Sequence, residues 1–293
     1  MNKKKDKKKI LIFGGSGFLA SHLFDELNKK KYEVKIFDYK KSPYLKKNKK
    51  IIIGDIMNSF KVSEACKNVD IIYHFAAVAD LKEANRDHLS AIKTNIFGTV
   101  NILEAAIKSK VKKIVFASSI YARSQQGGFY STTKLASEMI IERYCEKYPL
   151  KFVILRFGSL YGSRFNGFNP ISNFIIQAIK QKKIVRFSDG KEIRNYIHVN
   201  DLKKICTDVL KKKFDNKYIN IIGNKATSVR KIISLITKFI PDLKVVFKNE
   251  KMIYNYKKNP FTYKIRKGIT IRPKNEYNLE LGIKNLIKEI KNK

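Results

Sequence analysis

The sequence predicts an α/β protein: a doubly wound, parallel Rossmann-type sheet with a smaller α+β C-terminal lobe. Three observations carry this. Short β-branched runs alternate strictly with helical stretches through the first half of the 293-residue chain, and such alternation implies right-handed crossovers in a parallel sheet. The strand-like runs are almost wholly apolar, as strands covered on both faces must be. A glycine-rich turn follows the first run and opens the first helix. Ligands of doubly wound sheets lie at the carboxyl ends of the strands.

In chain order, strands are expected at Ile10–Phe13, Glu33–Phe37, Ile51–Ile53, Ile71–Phe75, Lys113–Ala117 and Phe152–Arg156, where β-branched and aromatic residues cluster. Helical spacing of apolar residues falls at Phe18–Lys30, Ser59–Lys67, Ala91–Ser109 and Lys134–Tyr148. After Gly158 the rhythm changes. A Gly/Asn/Ser-rich loop is expected at Tyr161–Pro170, then a helix at Ile171–Gln181 and a strand at Ile184–Phe187. A turn at Asp189–Gly190, a helix from Asn200 to Lys212 and a last helix near Leu279–Lys291 complete the pattern. The domains are therefore read as 1–160 and 161–293, the second partly interleaved with the first.

Composition limits the function classes. The chain has 62 Lys+Arg against 25 Asp+Glu, a formal charge of +37, and is 44 % hydrophobic. That apolar content excludes a disordered basic tail, which could form no core. The charge itself admits nucleic acid, an anionic surface or an anionic small substrate. Lysine runs at Lys3–Lys5, Lys46–Lys50 and Lys211–Lys213 fall where solvated helix ends and loops are expected, without interleaved aromatic residues. The charge is accordingly read as composition, and neither nucleic acid nor a membrane is an expected partner. Cys66, Cys145 and Cys206 are scattered and odd in number, which fits neither a zinc site nor a disulfide framework and suits the cytoplasm. The lysine-rich start followed by Ile10–Phe13 imitates a signal peptide, but glycines 14, 15 and 17 interrupt it.

Two motifs carry chemistry. Gly14-Gly15-Ser16-Gly17-Phe18-Leu19-Ala20 reads G-x-x-G-x-x-A. Glycine allows the tight turn and lets backbone N–H groups approach a pyrophosphate, which the helix N-terminus attracts. Asp38 closes the second strand, where a carboxylate can take both ribose hydroxyls and repels a 2′-phosphate, favouring NAD over NADP. The second motif is Tyr130-Ser-Thr-Thr-Lys134, preceded by Ser118-Ser119 at a strand end. Tyr and Lys four apart share a helix face, so the ammonium is expected to lower the phenol pKa and free tyrosinate as a base.

With these in place the chain resembles the extended short-chain dehydrogenase/reductases, in particular the NAD-dependent nucleotide-sugar epimerase/dehydratase group. Further matches are Gly54-Asp55-Ile56, His74-Phe75-Ala76-Ala77, Thr94–Thr99, Leu155–Gly162 and Arg194–Val199. The resemblance implies NAD contacts from Gly14, Gly17, Phe18, Leu19 and Asp38, with Asp55 and Ile56 at the adenine. It also implies that Phe75, Ala76 and Ala77 pass the cofactor and that Asn95 braces the helix beside Lys134. Ser119, Tyr130 and Lys134 would be catalytic, the last two also touching NAD. Ser119, Ser159 and Arg194 would meet the sugar nucleotide, Arg194 as a guanidinium fork for the diphosphate. Asn166 and Asn169 read equally well as sugar-pocket or plain loop residues, and His198 reads better as a packed strand-end histidine.

Departures from the family pattern narrow the reaction. Ala122-Arg123-Ser124 replaces the usual Val-Tyr-Gly after the serine, and Ser159 stands where the Arg-x-x-Asn segment has Asn. Ile120-Tyr121 occupies the place of the Asp-Glu pair of 4,6-dehydratases and of the Cys of 3,5-epimerising relatives. Epimerisation at C4 of a UDP-sugar, by a homodimer, is the expectation. The alternatives are a nucleotide-sugar oxidoreductase with net hydride transfer and a non-catalytic dinucleotide-sensing or RNA-binding protein.

Overall fold

A computed structural model describes residues 7–45, 51–164, 169–248, 257–259 and 261. The chain divides into two units, Met1–Tyr263 and Lys264–Lys293, and every described residue belongs to the first. Lys3–Lys5, Lys46–Lys50, Asn166 and the helix expected near Leu279–Lys291 lie outside the described residues.

Seven strands form the central sheet: β1 (Lys9–Phe13), β2 (Glu33–Asp38), β3 (Ile51–Ile53), β4 (Ile71–His74), β5 (Lys113–Ser119), β6 (Lys151–Phe157) and β10 (Lys217–Ile221). Their order is β10-β6-β5-β4-β1-β2-β3 and every pairing is parallel. Alternation of side chains along a strand splits the core into two layers. Ile10 and Ile12 of β1 join a cluster with Leu23, Leu27, Leu202 and Cys206 of helices α1 (Phe18–Lys29) and α8 (Val199–Asp208). Leu11 and Phe13 join the opposite cluster, with Val62 of α2 (Ser59–Cys66), Ile102 of α5 (Gly98–Lys108) and Ile141 of α6 (Gly128–Lys147). Tyr73, fully buried, donates from its hydroxyl to the Cys206 carbonyl (2.6 Å) and ties α8 to the sheet.

α8 and β10, both beyond residue 160, complete the central layers. A three-stranded sheet of β7 (Ser159–Tyr161), β9 (Ile193–His198) and β11 (Ala226–Ser228) and a two-stranded sheet of β8 (Lys183–Arg186) and β12 (Lys244–Phe247) make up the rest. The two-stranded sheet packs with α7 (Pro170–Gln181) and α9 (Val229–Phe239) around Phe174, Ile184, Val229 and Ile233.

Two expected helices differ in ways that matter for the site. The helix expected at Ala91–Ser109 runs unbroken from His88 to Lys108, as α4 (His88–Ile92), a π-helical turn at Lys93–Phe97, and α5. At the π-turn the Asn95 carbonyl accepts hydroxyl hydrogen bonds from Thr99 (2.5 Å) and from Ser137 of α6 (2.8 Å). Helix α6 begins at Gly128, six residues before the expected Lys134, so Tyr130 lies in its first turn. Its start is held from outside by Asn85 of α3 (Leu81–Arg86), which accepts from the Phe129 N–H (3.0 Å) and donates to the Gly127 carbonyl (3.1 Å). Loop reading at Tyr161–Pro170 also missed that β7 ends there. No helix among the described residues is long and apolar enough to cross a membrane.

Candidate active site

At the carboxyl end of β1, Gly14 has φ +76°, and a Cβ there would lie 2.5 Å from the Ala76 nitrogen. Glycine therefore lets the turn press against Phe75, Ala76 and Ala77, the half-buried segment that follows β4. Gly17 caps α1 without a side-chain hydrogen bond, so the N–H groups of Phe18 and Leu19 present the positive helix end to an anion. Asp38, buried at the end of β2, accepts from the Ser16 N–H (2.9 Å) and the Lys40 N–H (3.1 Å). Each carboxylate oxygen keeps a second lone pair. Beyond β3, Asp55 is exposed and accepts from the Met57 N–H (2.9 Å), while Ile56 is buried against Gly98. This edge fits NAD: backbone donors where a pyrophosphate would lie, a carboxylate where a ribose diol would, and a charge that repels a 2′-phosphate.

Across the edge, the end of β5 faces the first turns of α6. The Ser119 hydroxyl accepts from the Tyr121 N–H (3.2 Å) and lies close enough to the Tyr130 phenol to act on its pKa. Tyr130 is packed with Ala84, Ala91, Val78, Leu81 and Tyr121. Burial raises its pKa above the ordinary 10; Ser119 lowers it, and the Asp80 carboxylate raises it. The expected depression by Lys134 is not what this arrangement produces. The Lys134 ammonium donates to the Ala117 carbonyl (2.9 Å) and lies 4.9 Å above the Phe116 ring. Its own pKa falls to about 8 through burial, partly offset by Glu138. His74, buried beside it, is held down to about 3 by burial and by Lys134, so it stays neutral. Its Nε2 pairs with the Thr99 hydroxyl (2.8 Å).

Asn95, buried in the π-turn, bridges the two halves of the site. Its amide accepts from the Val78 N–H (2.8 Å) and donates to the Val78 carbonyl (3.2 Å) and the Thr133 hydroxyl (2.9 Å) of α6. Three residues near this cluster were not singled out from the sequence. Glu138, one turn beyond Lys134, takes Ser118 Oγ (2.5 Å), Arg156 Nε (2.9 Å) and Arg156 Nη2 (2.6 Å). Glu138 and Arg156 are both buried, which pins α6 to β5 and β6 through a desolvated, bidentate pair. The four-residue spacing Tyr130, Lys134, Glu138 was a legible signal; the Arg156 partner was not. Asp80 caps α3 by accepting from the Glu83 N–H (2.8 Å), and nothing local to the sequence placed its charge near Tyr130.

Ser159 and Arg194 stand on the small sheet. Ser159 pairs with Tyr196 and Arg194 with Thr227, and paired residues project to the same face, as do residues two apart. Ser159, Tyr161, Arg194, Tyr196 and Thr227 therefore share one face. Along it opens a cavity of about 400 Å³, lined by Tyr161, Tyr196, Thr227, Ile171 and residues of α9. Arg194 is buried and donates to the Ile193 carbonyl (2.7 Å). Asn169 is committed elsewhere, capping α7 through the Ser172 N–H (3.1 Å) and donating to the Leu160 carbonyl (2.6 Å). His198 caps α8 and packs edge-on against Tyr161, the packed strand-end role favoured from sequence.

Residues 10–222 match the model of the NAD dependent epimerase/dehydratase family. Among curated proteins the chain is similar to a UDP-N-acetyl-alpha-D-glucosaminuronate decarboxylase of Bacillus cytotoxicus. The two are 31 % identical over 77 % of this chain and 78 % of the relative. The structure is similar to that of UDP-glucose 4-epimerase with UDP-glucose from Thermotoga maritima (TM-score 0.79, 25 % identity, 86 % of this chain and 88 % of that one). It is also similar to UDP-glucuronic acid 4-epimerase from Bacillus cereus in complex with UDP-glucuronic acid and NAD (TM-score 0.78, 26 % identity, 86 % and 89 %).

The Glu138–Arg156 pair yields a stability prediction. Removing one partner of a buried ion pair typically costs about 3–5 kcal/mol, whereas replacing both by apolar groups is often neutral. Glu138→Gln is expected to lose that much in urea unfolding, and Glu138→Gln with Arg156→Met to regain most of it. Equal losses in the single and double variants would show that the unpaired charge is not what destabilises.

Proposed function

The chain belongs to the NAD-dependent epimerase/dehydratase family, and from that premise we propose that it epimerises a nucleotide sugar, inverting C4 of a UDP-sugar. NAD is its cofactor and, when bound, supplies an acceptor that takes hydride from C4 and returns it. The chain's own groups handle the proton and the placement. Tyr130, once ionised beside the positive charges of Lys134 and the bound nicotinamide, takes the C4 hydroxyl proton at its phenolic oxygen and gives it back when the sugar has turned over. Ser119 hydrogen-bonds both that phenol and the reacting sugar oxygen. Lys134 adds positive charge on the same helix face and, with Gly14, Gly17, Phe18, Leu19, Asp38, Asp55, Ile56, Phe75, Ala76, Ala77 and Asn95, forms or braces the cofactor's seat. Arg194 and Ser159 take the substrate diphosphate along the face shared with the 400 Å³ cavity.

One observation carries epimerisation over dehydration. The turn after Ser119, Ile120–Arg123, offers Ile120 buried and Tyr121 half-buried beside the phenol, and neither supplies a carboxylic acid to expel water. Net oxidoreduction uses the same groups, so the deciding test is the product. Incubation with a panel of UDP-sugars should give the C4 epimer without net NADH change. A product at another oxidation level, with NADH formed or consumed in proportion, would make the enzyme an oxidoreductase instead.

We place the enzyme in the cytoplasm, where its three free cysteines stay reduced, and as a homodimer. Leu89, Phe97, Phe129 and Met139 stand exposed on α4, the π-turn and α6, an apolar surface suited to a second copy. Sedimentation should give a particle of twice the 34.0 kDa chain mass; a 34.0 kDa particle at micromolar concentration would refute the dimer.

Two variants test the residue roles. Tyr130→Phe keeps the ring and removes the proton-transfer oxygen, so turnover should fall about a hundredfold or more with NAD binding nearly intact; near-normal turnover would sink the assignment. Arg194→Ala should raise KM for the sugar nucleotide, with a loss on the order of 2–3 kcal/mol for a charged hydrogen-bond partner. An unchanged KM in steady-state kinetics would remove Arg194 from the diphosphate.

A further inference from the structure

Among the described residues, the positive charge is not spread evenly over the central sheet and the helices that flank it. In a parallel sheet all strands begin on one edge, and the helices that precede them end there. That edge runs from Lys7 to Lys9 and, for α1, α2, α5, α6 and α8, from the last turn of the helix through the first residue of the next strand. It holds 17 lysines, seven acidic residues and no arginine. Across the other described residues of the central sheet and its helices (10–25, 34–45, 51–62, 72–104, 114–143, 152–164, 199–204 and 218–221), 14 basic residues stand against 10 acidic ones. A lysine-rich composition alone would load both regions alike. A single cation at each helix C-terminus is expected from the dipole, but not the clusters Lys7–Lys9, Lys29–Lys31, Lys108–Lys113 and Lys211–Lys213.

We propose that this lysine edge is a docking surface for an anionic phospholipid bilayer. Every one of its lysines is exposed except Lys113, which is paired with Asp215. Six of its seven acidic residues already have partners: Glu64 with Lys67, Asp70 with Lys112, Asp208 with Lys211, Asp215 with Lys113, Glu26 with Lys203 and Glu146 with Arg143. The clusters also join. Asp208 is held below the usual carboxylate range by Lys211, Lys30 and Lys213, and Asp70 by Lys112 and Lys8, so lysines from separate connections reach the same carboxylates.

The chemistry selects the partner. Basic residues near an anionic bilayer add their attraction without needing directional contacts. Seven parallel strands about 4.8 Å apart give an edge roughly 30 Å wide. Nucleic acid is normally met by guanidinium forks and aromatic stacking, yet this edge carries no arginine and none of the exposed large hydrophobic residues. For the same reason the protein would sit on the headgroups without inserting. The glycine turn, Asp38 and Ser119 lie at the opposite, carboxyl edge, so a docked molecule keeps its site open to a water-soluble nucleotide sugar. The proposal does not depend on which reaction the site performs.

The test is co-sedimentation of the full chain with vesicles of phosphatidylcholine alone or with about a third phosphatidylglycerol, at low and high salt. Binding is expected on the anionic vesicles alone, weakening steeply with salt. Replacing Lys29, Lys30, Lys212 and Lys213 by Gln should weaken it at least tenfold. Replacing Lys180, Lys183, Lys238 and Lys244, exposed in the small lobe, should change it less than twofold. Circular dichroism and thermal unfolding verify that both variants are folded. Equal loss in the two variants, or equal binding to neutral vesicles, overturns the proposal. So does displacement from vesicles by double-stranded RNA at equal anionic charge, which would make the edge a nucleic-acid surface.

Discussion

Because each strand of the central sheet runs parallel to its neighbours, every connection must carry the chain back across a face before the next strand can start. That constraint separates the two edges of the molecule chemically. At the carboxyl edge, strand ends meet helix N-termini, where unpaired N–H groups and tight glycine turns favour anions. At the amino edge, helix C-termini meet strand starts, where lysine is favoured. The candidate site and the lysine face are thus opposite consequences of one topology. Gly14 and Asp38 belong to the first edge; Lys29–Lys31 and Lys211–Lys213 belong to the second.

Within the carboxyl edge, placement rests on buried polar contacts rather than on helix propensity. Helix α6 starts at two glycines, poor helix formers, and its first turn is held by Asn85 from α3. One turn further, Asn95 reaches Thr133 and the adjacent Lys134 donates to the Ala117 carbonyl. A turn beyond, the Ser137 hydroxyl reaches the Asn95 carbonyl and Glu138 takes Arg156 and Ser118. Each such group would be costly to bury alone. Satisfied together, they fix where the Tyr130 oxygen lies relative to Ser119.

The same burial sets the charge states. His74 is neutral because it lies in the core beside an ammonium, and Lys134 is brought towards neutrality by burial despite Glu138. Tyr130 is pushed up rather than down. Spacing in the sequence suggested the reverse for the phenol, because a four-residue interval establishes that two side chains share a face and not which way an ammonium turns.

The sequence by itself determined the alternation of strands and helices, the parallel sheet, the glycine turn, Asp38 and the Tyr130–Lys134 pair. All of these are local: a run of β-branched residues, a helical period, a turn that admits only glycine. Tertiary structure decided what depends on partners far apart in the chain. It put a π-turn into the helix at Asn95, moved the start of α6 to Gly128, returned α8 and β10 to the central layers, joined Glu138 to Arg156 and brought Asp80 near the phenol. It also gathered lysines from six separate stretches onto one edge. Local propensity acts over a few residues, whereas hydrogen bonds, desolvation and charge act across space, between positions that become neighbours when the chain folds.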